Sequence, residues 1–323
     1  MRFGLYAMAQ HPASLDPRQA LAEHIEQVHA ARDGGFTAIY AGQHYLSQPY
    51  WMLQPLPLLA RLAAEVPGLR IVLGIVLVAH LNPVEVAETV ATMDVICDGR
   101  VTLGVGLGYR REEDEAFALP RQRIPVFHEK LDVVRRLLEG EAVTADGLGY
   151  RLDGACLALR SVQRPRPPIW MAAISDEAVV RSATAADTWF MGPLDTVDNL
   201  ERQLGLYLAA RDGARPVELP VMRDVLVADT DDEAIRSAMP HLMGKYETYA
   251  SWGQSQELRS GWDELARGRF IVGSPETALR ELRELRERLG VTDVAVRAQW
   301  PGLPHADVLR TLRLLASDVL PAL

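Results

Sequence analysis

Residues 70–105, RIVLGIVLVAHLNPVEVAETVATMDVICDGRVTLGV, decide the fold class of this chain of 323 residues. The stretch opens with Arg70–Val78, an unbroken apolar run of the kind that a parallel sheet buries on both faces. Pro83–Cys97 follows with a helical pattern, and Val101–Val105 is apolar again. This order of strand, helix and strand predicts two parallel strands joined by a right-handed crossover.

The same alternation extends on both sides of this unit and gives eight predicted strands, each followed by a helix. Eight such units favour a closed (β/α)8 barrel over an open doubly wound sheet. No shift in composition marks a linker, so we predict an α/β fold with a single TIM-barrel domain over residues 1–323. The strands are expected at Phe3–Met8, Ala38–Ala41, Arg70–Val78, Val101–Val105, Ile169–Ala173, Thr188–Met191, Leu219–Ala228 and Asp293–Gln299.

Two insertions interrupt the alternation and account for the length beyond the roughly 250 residues that are typical of such barrels. The first lies near residues 140–168, where Ala142–Leu152 predicts a hairpin with its turn at Asp146-Gly147. The second lies near residues 250–270, where Ser251–Arg269 is polar, contains several glycines and is expected to form a loop.

Charge and composition exclude several classes of function. The chain has 34 Lys+Arg against 43 Asp+Glu, a net charge of −9, and no basic stripe, so no nucleic-acid partner is expected. Two cysteines and eight scattered histidines, without H-x-x-x-H or H-E-x-x-H spacing, predict no metal site. No secretory signal is evident, and the longest apolar stretch, Ile71–His80, is shorter than the roughly 20 residues that span a bilayer. We therefore predict a soluble, cytoplasmic protein without a membrane partner.

The loops that follow the second and fourth strands carry candidate functional residues, because such barrels place their chemistry at the carboxyl ends of the strands. His44, in Gly42-Gln43-His44-Tyr45, is either a general acid, base or hydrogen-bond donor, or a loop histidine bonded to backbone or water. Gly104–Arg111 (GVGLGYRR) fails the G-x-G-x-x-G spacing of a dinucleotide loop. Its glycines allow a ring or a phosphate close to the backbone, or simply a tight bend. The acidic run Glu112–Glu115 is interpreted as complementing a helix dipole rather than as catalytic.

The fifth and sixth strands offer a candidate phosphate site. The fifth strand leads through small residues to Ser175 and Asp176 at the start of a helix, where anions bind readily. Either residue is alternatively a plain N-cap. Trp189 and Phe190, at the end of the next strand, are expected to stack on a ring or to fill the top of the barrel. Arg110 and Arg111 are the fixed positive charges nearest to this mouth.

The block LGIVLVAHLNPVEVAETVATMDVICDGRVTLGVGLGYRREEDEAF, residues 73–117, resembles the signature of the luciferase-like monooxygenase family. The resemblance covers nearly the whole chain, and the order and spacing of its parts are specific. The other matching parts are Gly42-Gln43-His44, Pro168–Ser175, Gly273–Glu276, Trp300–Gly302 and Leu312–Pro321.

The resemblance implies a (β/α)8 barrel that binds a flavin, either reduced FMN used with O2 or the deazaflavin F420, in the barrel mouth. Val76-Leu77 in the third strand would back the reactive N5 edge, through a bulge or a non-prolyl cis peptide. Ala173, Ile174 and Ser175 would hold the phosphate, with Gly108 and Tyr109 opposite and Trp189 beside the pocket.

His44 would lie at the reactive edge of the ring, as a donor to a flavin adduct or to the substrate, with Gln43 in the same cofactor site. Two departures from luciferase-type members matter. Gln43-His44-Tyr45 replaces Glu-His-His, so roles that depend on that carboxylate are not transferred. Leu107 replaces an arginine that binds the flavin phosphate, so phosphate binding would require Arg110 or Arg111 to reach in.

The leading functional hypothesis is a monooxygenase that uses reduced FMN from a separate flavin reductase, together with O2 and a small organic substrate. Alternatives are an F420-dependent hydride-transfer enzyme, a flavin-binding protein without turnover, and an unrelated barrel lyase or isomerase. The resemblance also implies a homodimer. Candidate substrate contacts near strand ends are Met8, Trp51, Arg223 and Trp300. The loops Tyr45–Leu53 and Ser251–Arg269 should cover the pocket but carry no motif that identifies the substrate.

Overall fold

The computed structural model describes residues 1–7 and 10–323. Its strands are β1 (Arg2–Tyr6), β2 (Gln10–Pro12), β3 (Ala38–Ala41), β4 (Tyr50–Met52), β5 (Arg70–Val76), β6 (Val101–Val105), β7 (Val143–Gly147), β8 (Tyr150–Ala155), β9 (Ile169–Ala173), β10 (Thr188–Met191), β11 (Pro220–Val227), β12 (Phe270–Gly273) and β13 (Asp293–Arg297). Its helices are α1 (Pro17–Asp33), α2 (Pro55–Glu65), α3 (Pro83–Ile96), α4 (Arg111–Ala116), α5 (Arg123–Glu139), α6 (Asp176–Ala185), α7 (Val197–Ala209), α8 (Asp231–Ser251), α9 (Trp262–Ala266), α10 (Pro275–Glu284) and α11 (His305–Leu314). Within the described residues, every helix is too short or too polar to cross a lipid bilayer.

Eight parallel strands close into a barrel and confirm the predicted fold class. Their order around the barrel is β1, β3, β5, β6, β9, β10, β11 and β13, and β13 pairs with β1 to close the ring. All eight coincide with predicted strands, although Val78–His80 forms a short 3-10 turn instead of extending β5. The helices α1, α2, α3 and α10 begin with proline in the first turn, which needs no N–H there.

The alternation of side chains along each strand produces two apolar cores. One set points into the barrel and includes Tyr40, Val72, Trp170, Phe190 and Ala295. The other set points outward and packs against the surrounding helices. The interior is therefore filled with side chains, as is usual for an eight-stranded barrel.

An ion-pair layer closes the end of the barrel where the strands begin. Glu218 accepts hydrogen bonds from Arg2 at 2.7 Å and from Arg70 at 2.6 and 2.9 Å. Arg2 also binds both carboxylate oxygens of Asp293 at 2.8 Å. The guanidinium of Arg70 lies 4.8 Å from the ring centre of Trp170, which fills the interior next to this layer.

The two predicted insertions are present, with differences in detail. The first is the antiparallel hairpin of β7 and β8, whose turn lies at Leu148-Gly149 rather than at Asp146-Gly147. Gly149 has φ +79°, which a glycine adopts without strain. The second insertion contains α9 and leads directly into β12, a strand that sequence reasoning missed. This strand pairs with Asp224–Val227, the half of β11 that starts at the last residue paired with β13.

A second unpredicted feature is a small antiparallel ribbon of β2 and β4 beside the barrel mouth. The indole of Trp51 donates a hydrogen bond to the Pro12 carbonyl, and its ring centre lies 4.7 Å from that of His11. His11 and the buried His24 of α1 share a hydrogen bond between their Nε2 atoms at 3.1 Å. This ribbon holds the two loops that follow β1 and β3.

Candidate active site

A cavity of about 430 Å³ lies at the carboxyl ends of the barrel strands. Residues from the ends of all eight barrel strands line it, which is where this fold places its active sites. The lining residues are Tyr6, Gly42, Gln43, His44, Met52, Gly74, Ile75, Leu77, Gly106, Leu107, Gly108, Tyr109, Ala172, Ala173, Ile174, Ser175, Ala178, Phe190, Met191, Gly192, Pro193, Leu194, Met222, Tyr249, Gln254 and Arg297.

His44 lines this cavity and is held by a buried carboxylate. Its Nδ1 lies 2.9 Å from Oε1 of Glu113, which is fully buried, and the same oxygen accepts the Tyr45 amide at 2.9 Å. Burial alone would raise the pKa of Glu113, but these hydrogen bonds and the charge of Arg110 outweigh it and lower that pKa. An ionised carboxylate only accepts hydrogen bonds, so we assign the proton to Nδ1 of His44. Nε2 is then the nitrogen that can exchange a proton with a bound molecule.

Glu113 places a buried carboxylate against His44, although the residue that precedes His44 in the sequence is Gln43. The sequence interpretation assigned Glu112–Glu115 to the helix dipole and did not anticipate the contact between Glu113 and His44. Although Glu113 lies in the first turn of α4, its side chain turns into the protein toward the loop after β3. A run of four acidic residues cannot reveal which member is buried.

Arg110 and Trp252 join two loops above His44. Arg110 donates hydrogen bonds to the carbonyls of Tyr45 and Leu46, and its guanidinium lies 4.2 Å from the ring centre of Trp252. Trp252 in turn donates its indole N–H to the Gln48 carbonyl at 3.0 Å. The end of α8 is therefore tied to the loop after β3, and we call this set of contacts the Arg110–Trp252 clasp.

Gln43 connects the ends of β3 and β5. Its amide oxygen accepts the Leu77 N–H at 3.0 Å, and its amide nitrogen donates to the Tyr45 hydroxyl at 2.7 Å. The peptide bond between Gly74 and Ile75 is cis, and the register between β5 and β6 shifts between Leu73 and Val76. The irregularity expected at Val76-Leu77 thus lies one or two residues earlier.

The glycines after β6 are required by packing within the protein. A Cβ on Gly104 would lie 2.4 Å from the Leu73 carbonyl oxygen, and one on Gly106 would lie 2.1 Å from the Ile75 side chain. Gly108 has φ +79°, so it also needs glycine for its backbone conformation. Gly104 thus allows β5 and β6 to approach closely, and Gly106 and Gly108, with Gly42 and Gly74, leave a small-residue surface at the cavity wall.

A second wall of the cavity is formed where β9 leads into α6. The Ser175 hydroxyl caps α6 by accepting the Ala178 N–H at 3.3 Å, and both residues line the cavity, so the amino end of α6 lies at its edge. Asp176 is bound by Arg202 through two hydrogen bonds of 2.7 Å, and Gln203 donates to the Ile174 carbonyl. Gly192, on the neighbouring loop, has open space where a Cβ would be. We call Ala173–Ser175 and Gly192 the cradle.

A buried charge cluster lies at the opposite side of the mouth. Asp224 accepts two hydrogen bonds of 2.6 Å from Arg297, one of 2.8 Å from Lys245 and one of 2.7 Å from the Trp300 indole. The Tyr246 hydroxyl also donates to it at 2.7 Å. Burial opposes ionisation of Asp224, yet the charges of Arg297 and Lys245 hold its pKa well below the ordinary value.

A model of the luciferase-like monooxygenase family matches residues 1–293 of the chain. The chain belongs to this family. The family resemblance found in the sequence is thereby confirmed, and with it the prediction of an enzyme of this oxidoreductase class.

Two curated relatives and two solved structures are similar to this chain. The oxygenase component of a flavin-dependent trigonelline monooxygenase from Acinetobacter baylyi is 26% identical over 81% of this chain and 74% of its own. Limonene 1,2-monooxygenase from Rhodococcus erythropolis is 22% identical over 99% of this chain and 86% of its own. A monooxygenase from Streptomyces bottropensis has a TM-score of 0.88 at 24% identity, covering 100% of this chain and 99% of its own. An F420-dependent secondary alcohol dehydrogenase has a TM-score of 0.82 at 17% identity, covering 99% and 98%.

The structure of this luciferase-like protein brings eight of the predicted site residues together around the cavity. They are Gln43, His44, Leu77, Gly108, Tyr109, Ala173, Ile174 and Ser175. The predicted substrate contact Met8 lies outside the described residues.

Six other predicted site residues do not line the cavity, and strand alternation explains three of them. Val76, Trp189 and Arg223 point outward from the barrel: Val76 packs in the outer core, Trp189 donates to the Ala173 carbonyl, and Arg223 donates to the Gly192 carbonyl. They support the cavity wall from behind.

The remaining three have structural partners elsewhere. Arg110 belongs to the clasp and does not reach the cradle, and Trp51 belongs to the β2–β4 ribbon. Trp300 is fully buried against Asp224. No group of three metal-ligating side chains occurs among residues 1–7 and 10–323.

Sequence reasoning missed Arg297, Glu113, Tyr249 and Gln254. Arg297 could have been found from the pattern of β13, since Ala295 points into the barrel and residues two apart share a face. Tyr249 and Gln254 come from the end of α8 and the loop beyond it, where no local pattern indicates which side chains turn toward the mouth.

Proposed function

We propose that this protein is a flavin-dependent monooxygenase that uses reduced FMN and O2 to oxygenate a small organic substrate. The observation that carries the proposal is the His44–Glu113 pair facing a cavity at the barrel mouth in a luciferase-like protein. The names of both curated relatives described above, each a monooxygenase, support this reading.

The residues of the cavity fit FMN in size and in chemistry. The small-residue surface formed by Gly42, Gly74 and Gly106 suits a planar ring, and Ile75 and Phe190 offer apolar contacts beside it. The cradle offers the first amides of α6 to a phosphate, and the open space at Gly192 leaves room for one. No lysine or arginine from the described part of the chain lines the cradle itself, so the phosphate would be held mainly by backbone N–H groups.

Reduced FMN, when bound, supplies the electrons that activate O2. His44 supplies the proton path: with Nδ1 fixed by Glu113, Nε2 accepts a proton from a substrate hydroxyl or, once protonated, returns one to a departing oxygen. The Arg110–Trp252 clasp limits access of water to this nitrogen, because it closes the loop after β3 against the end of α8.

The partners of this reaction follow from the proposed cofactor. The Acinetobacter relative is an oxygenase component, which supports a separate flavin reductase as the source of reduced FMN here. Homodimeric assembly and a cytoplasmic location stay predictions, as does the assignment of residues 1–323 to a single domain.

F420-dependent hydride transfer is the second candidate. The F420-dependent alcohol dehydrogenase shares the fold over 99% of this chain, so the same cavity geometry serves either cofactor class. A flavin-binding protein without turnover is a weaker candidate. The glutamine at Gln43, in place of a glutamate, favours it, but Glu113 supplies His44 with a buried carboxylate.

Anaerobic titration of the purified protein with FMN, reduced FMN, riboflavin and F420 tests the proposal. We expect reduced FMN to bind, FMN to bind more tightly than riboflavin, and admission of air to oxidise the bound flavin. Selective binding of F420 that is insensitive to air would favour the second candidate. Binding of reduced FMN without any reaction on admission of air would favour the protein without turnover. Binding of none of the four would overturn the cofactor assignment.

A pair of glycine variants tests the position of the cofactor. Gly192→Trp places a large ring in the cradle without backbone strain, since a Cβ there meets nothing within 4 Å. Gly205→Trp makes the same change on the exposed face of α7, also with nothing within 4 Å. We expect the first variant to lose FMN binding and the second to retain it. Equal binding by both variants would place the flavin elsewhere.

A further inference from the structure

We propose that Arg297 makes one end of the cavity an anion-binding site, which selects apolar substrates that carry a carboxylate or an ionised hydroxyl group. This inference rests on the proposed monooxygenase function and names the substrate class for the same cavity.

The orientation of Arg297 is fixed by Asp224. Its Nε and Nη2 atoms bind the two carboxylate oxygens of Asp224, each at 2.6 Å, in the bidentate geometry that orients a guanidinium most firmly. Arg297 is 4% exposed and lines the cavity, and its Nη1 has no hydrogen-bond partner among residues 1–7 and 10–323. A rigid, buried donor at a cavity wall is preorganised to bind an acceptor from a ligand.

The charges at this end do not balance. Asp224 is the single carboxylate of the described cluster, and two cations, Arg297 and Lys245, bind it directly. The other groups that touch it, the Tyr246 hydroxyl and the Trp300 indole, are neutral donors. An uncompensated buried charge is costly, so an anion in the cavity would stabilise the cluster. Burial and the neighbouring Arg297 lower the pKa of Lys245 to about 7, so the cluster carries its excess positive charge below that pH, where an anion in the cavity would also favour the protonated lysine.

The position of Arg297 separates it from the cradle. Strands β9 and β1 face each other across the barrel, because three strands lie between them in either direction, and β13 is the neighbour of β1. Ala173–Ser175 of the cradle follow β9 and Gly192 follows β10, whereas Arg297 ends β13, two strands beyond β10. A phosphate in the cradle therefore leaves Arg297 to a different group, at the far side of the mouth.

The surroundings of Arg297 define the rest of the ligand. Apolar side chains, among them Met52, Met222 and Phe190, line the cavity between the glycine surface and this end. The hydroxyl of Tyr249 donates a hydrogen bond to Gln10 at 3.0 Å, and Arg297 is the one Lys, Arg, Asp or Glu side chain of the described residues that lines the cavity. A hydrocarbon substrate would leave it unpaired, whereas an aromatic or alicyclic acid, or an acidic phenol, would satisfy both the apolar walls and the cation.

The test compares carboxylates with their isosteric neutral amides. Benzoate, 1-naphthoate and 2-anthroate, and the three matching carboxamides, are titrated calorimetrically into the wild-type protein, Arg297→Gln and a control, Arg310→Gln. Arg310 pairs with Asp229 and Glu233 at the surface of α8 and α11, so its replacement removes an arginine outside the cavity. We expect the wild type and the control to bind at least one carboxylate about tenfold or more tightly than its amide, as a charge-assisted hydrogen bond provides. In R297Q this preference should disappear while amide binding is retained.

Several outcomes would overturn the inference. Equal binding of acids and amides, retention of the preference in R297Q, or no carboxylate binding at millimolar concentration would each do so. If R297Q weakens FMN but leaves riboflavin unchanged, Arg297 holds the cofactor phosphate instead. Should R297Q fail to fold, the acid-to-amide ratio in the wild type and in the Arg310→Gln control still decides. Flavin binding measured in parallel separates the two proposals, because loss of anion preference with intact flavin binding refutes only this one.

Discussion

The replacement Glu113→Gln tests whether Glu113 acts through His44. The amide oxygen of glutamine can still accept the two 2.9 Å hydrogen bonds from His44 and the Tyr45 amide, so the local shape is retained while the charge is lost. Hydrogen bonds to charged groups contribute about 1.5–3 kcal/mol and neutral ones about 0.5–1.5 kcal/mol. The difference, roughly 1–1.5 kcal/mol, corresponds to about a tenfold decrease in the rate of a step that protonates or deprotonates His44.

The assay is the re-oxidation of bound reduced FMN by O2, followed in a stopped-flow instrument by the return of the oxidised-flavin absorbance. We expect E113Q to slow this step by about tenfold and His44→Ala to slow it by at least about a hundredfold, the usual size of acid–base contributions. FMN affinity should stay unchanged in E113Q, because Glu113 does not line the cavity.

The double variant decides whether the two residues act as one unit. If Glu113 works only through His44, adding E113Q to His44→Ala should have no further effect. A tenfold decrease in that background as well, or a normal rate in E113Q alone, would refute the assignment of Glu113 as a positioning residue.

Three further predictions concern pH and the clasp. Burial and Arg297 lower the pKa of Lys245 to about 7 from 10.5 in the unfolded chain, so the unfolded state binds more protons between these values. The free energy of unfolding in urea should therefore rise from pH 7 to 9 in the wild type. Its slope should exceed that of Lys245→Met by up to about 1.4 kcal/mol per pH unit. Burial lowers the pKa of His11 to about 4 and that of His24 to about 3, so stability should fall as the pH drops from 6.5 toward 4. A double His→Leu variant should lack this fall, and an unchanged acid profile would contradict the reasoning. Trp252→Ala should open the clasp, so that iodide quenches the fluorescence of bound oxidised FMN more strongly than in the wild type. The same variant should lose about 3–5 kcal/mol of its free energy of unfolding. Unaltered quenching would show that the clasp does not cover the site.

The barrel could be predicted from the sequence because its eight strands are short, apolar and separated by helices of ordinary length. The β2–β4 ribbon and β12 could not, because these short strands lie outside the eight units of strand and helix and form only where a neighbouring backbone offers partners. Their existence depends on tertiary contacts that no local pattern encodes.

Within the site, predictions succeeded where the backbone at a strand end sets the position, as at His44 and Ser175. They failed where a residue had to be assigned to the inner or the outer face of its strand. Trp189 and Arg223 each stand one residue from an inward-pointing neighbour, Phe190 and Met222, and a shift of one residue reverses the direction of a side chain. Glu113 was missed for a different reason, since burial of one acid among four depends on a partner 69 positions earlier in the chain.

The ion-pair layer of Arg2, Arg70, Glu218 and Asp293 makes the barrel a cup, filled at its base and open at its rim. Every molecule that reacts in it, the cofactor included, must then use the rim for both arrival and departure. The loops that bear His44 and Trp252 consequently control which molecules enter and leave the cavity, while the base contributes rigidity. An engineer who wished to change which compounds enter could exchange the rim loops and leave the base untouched.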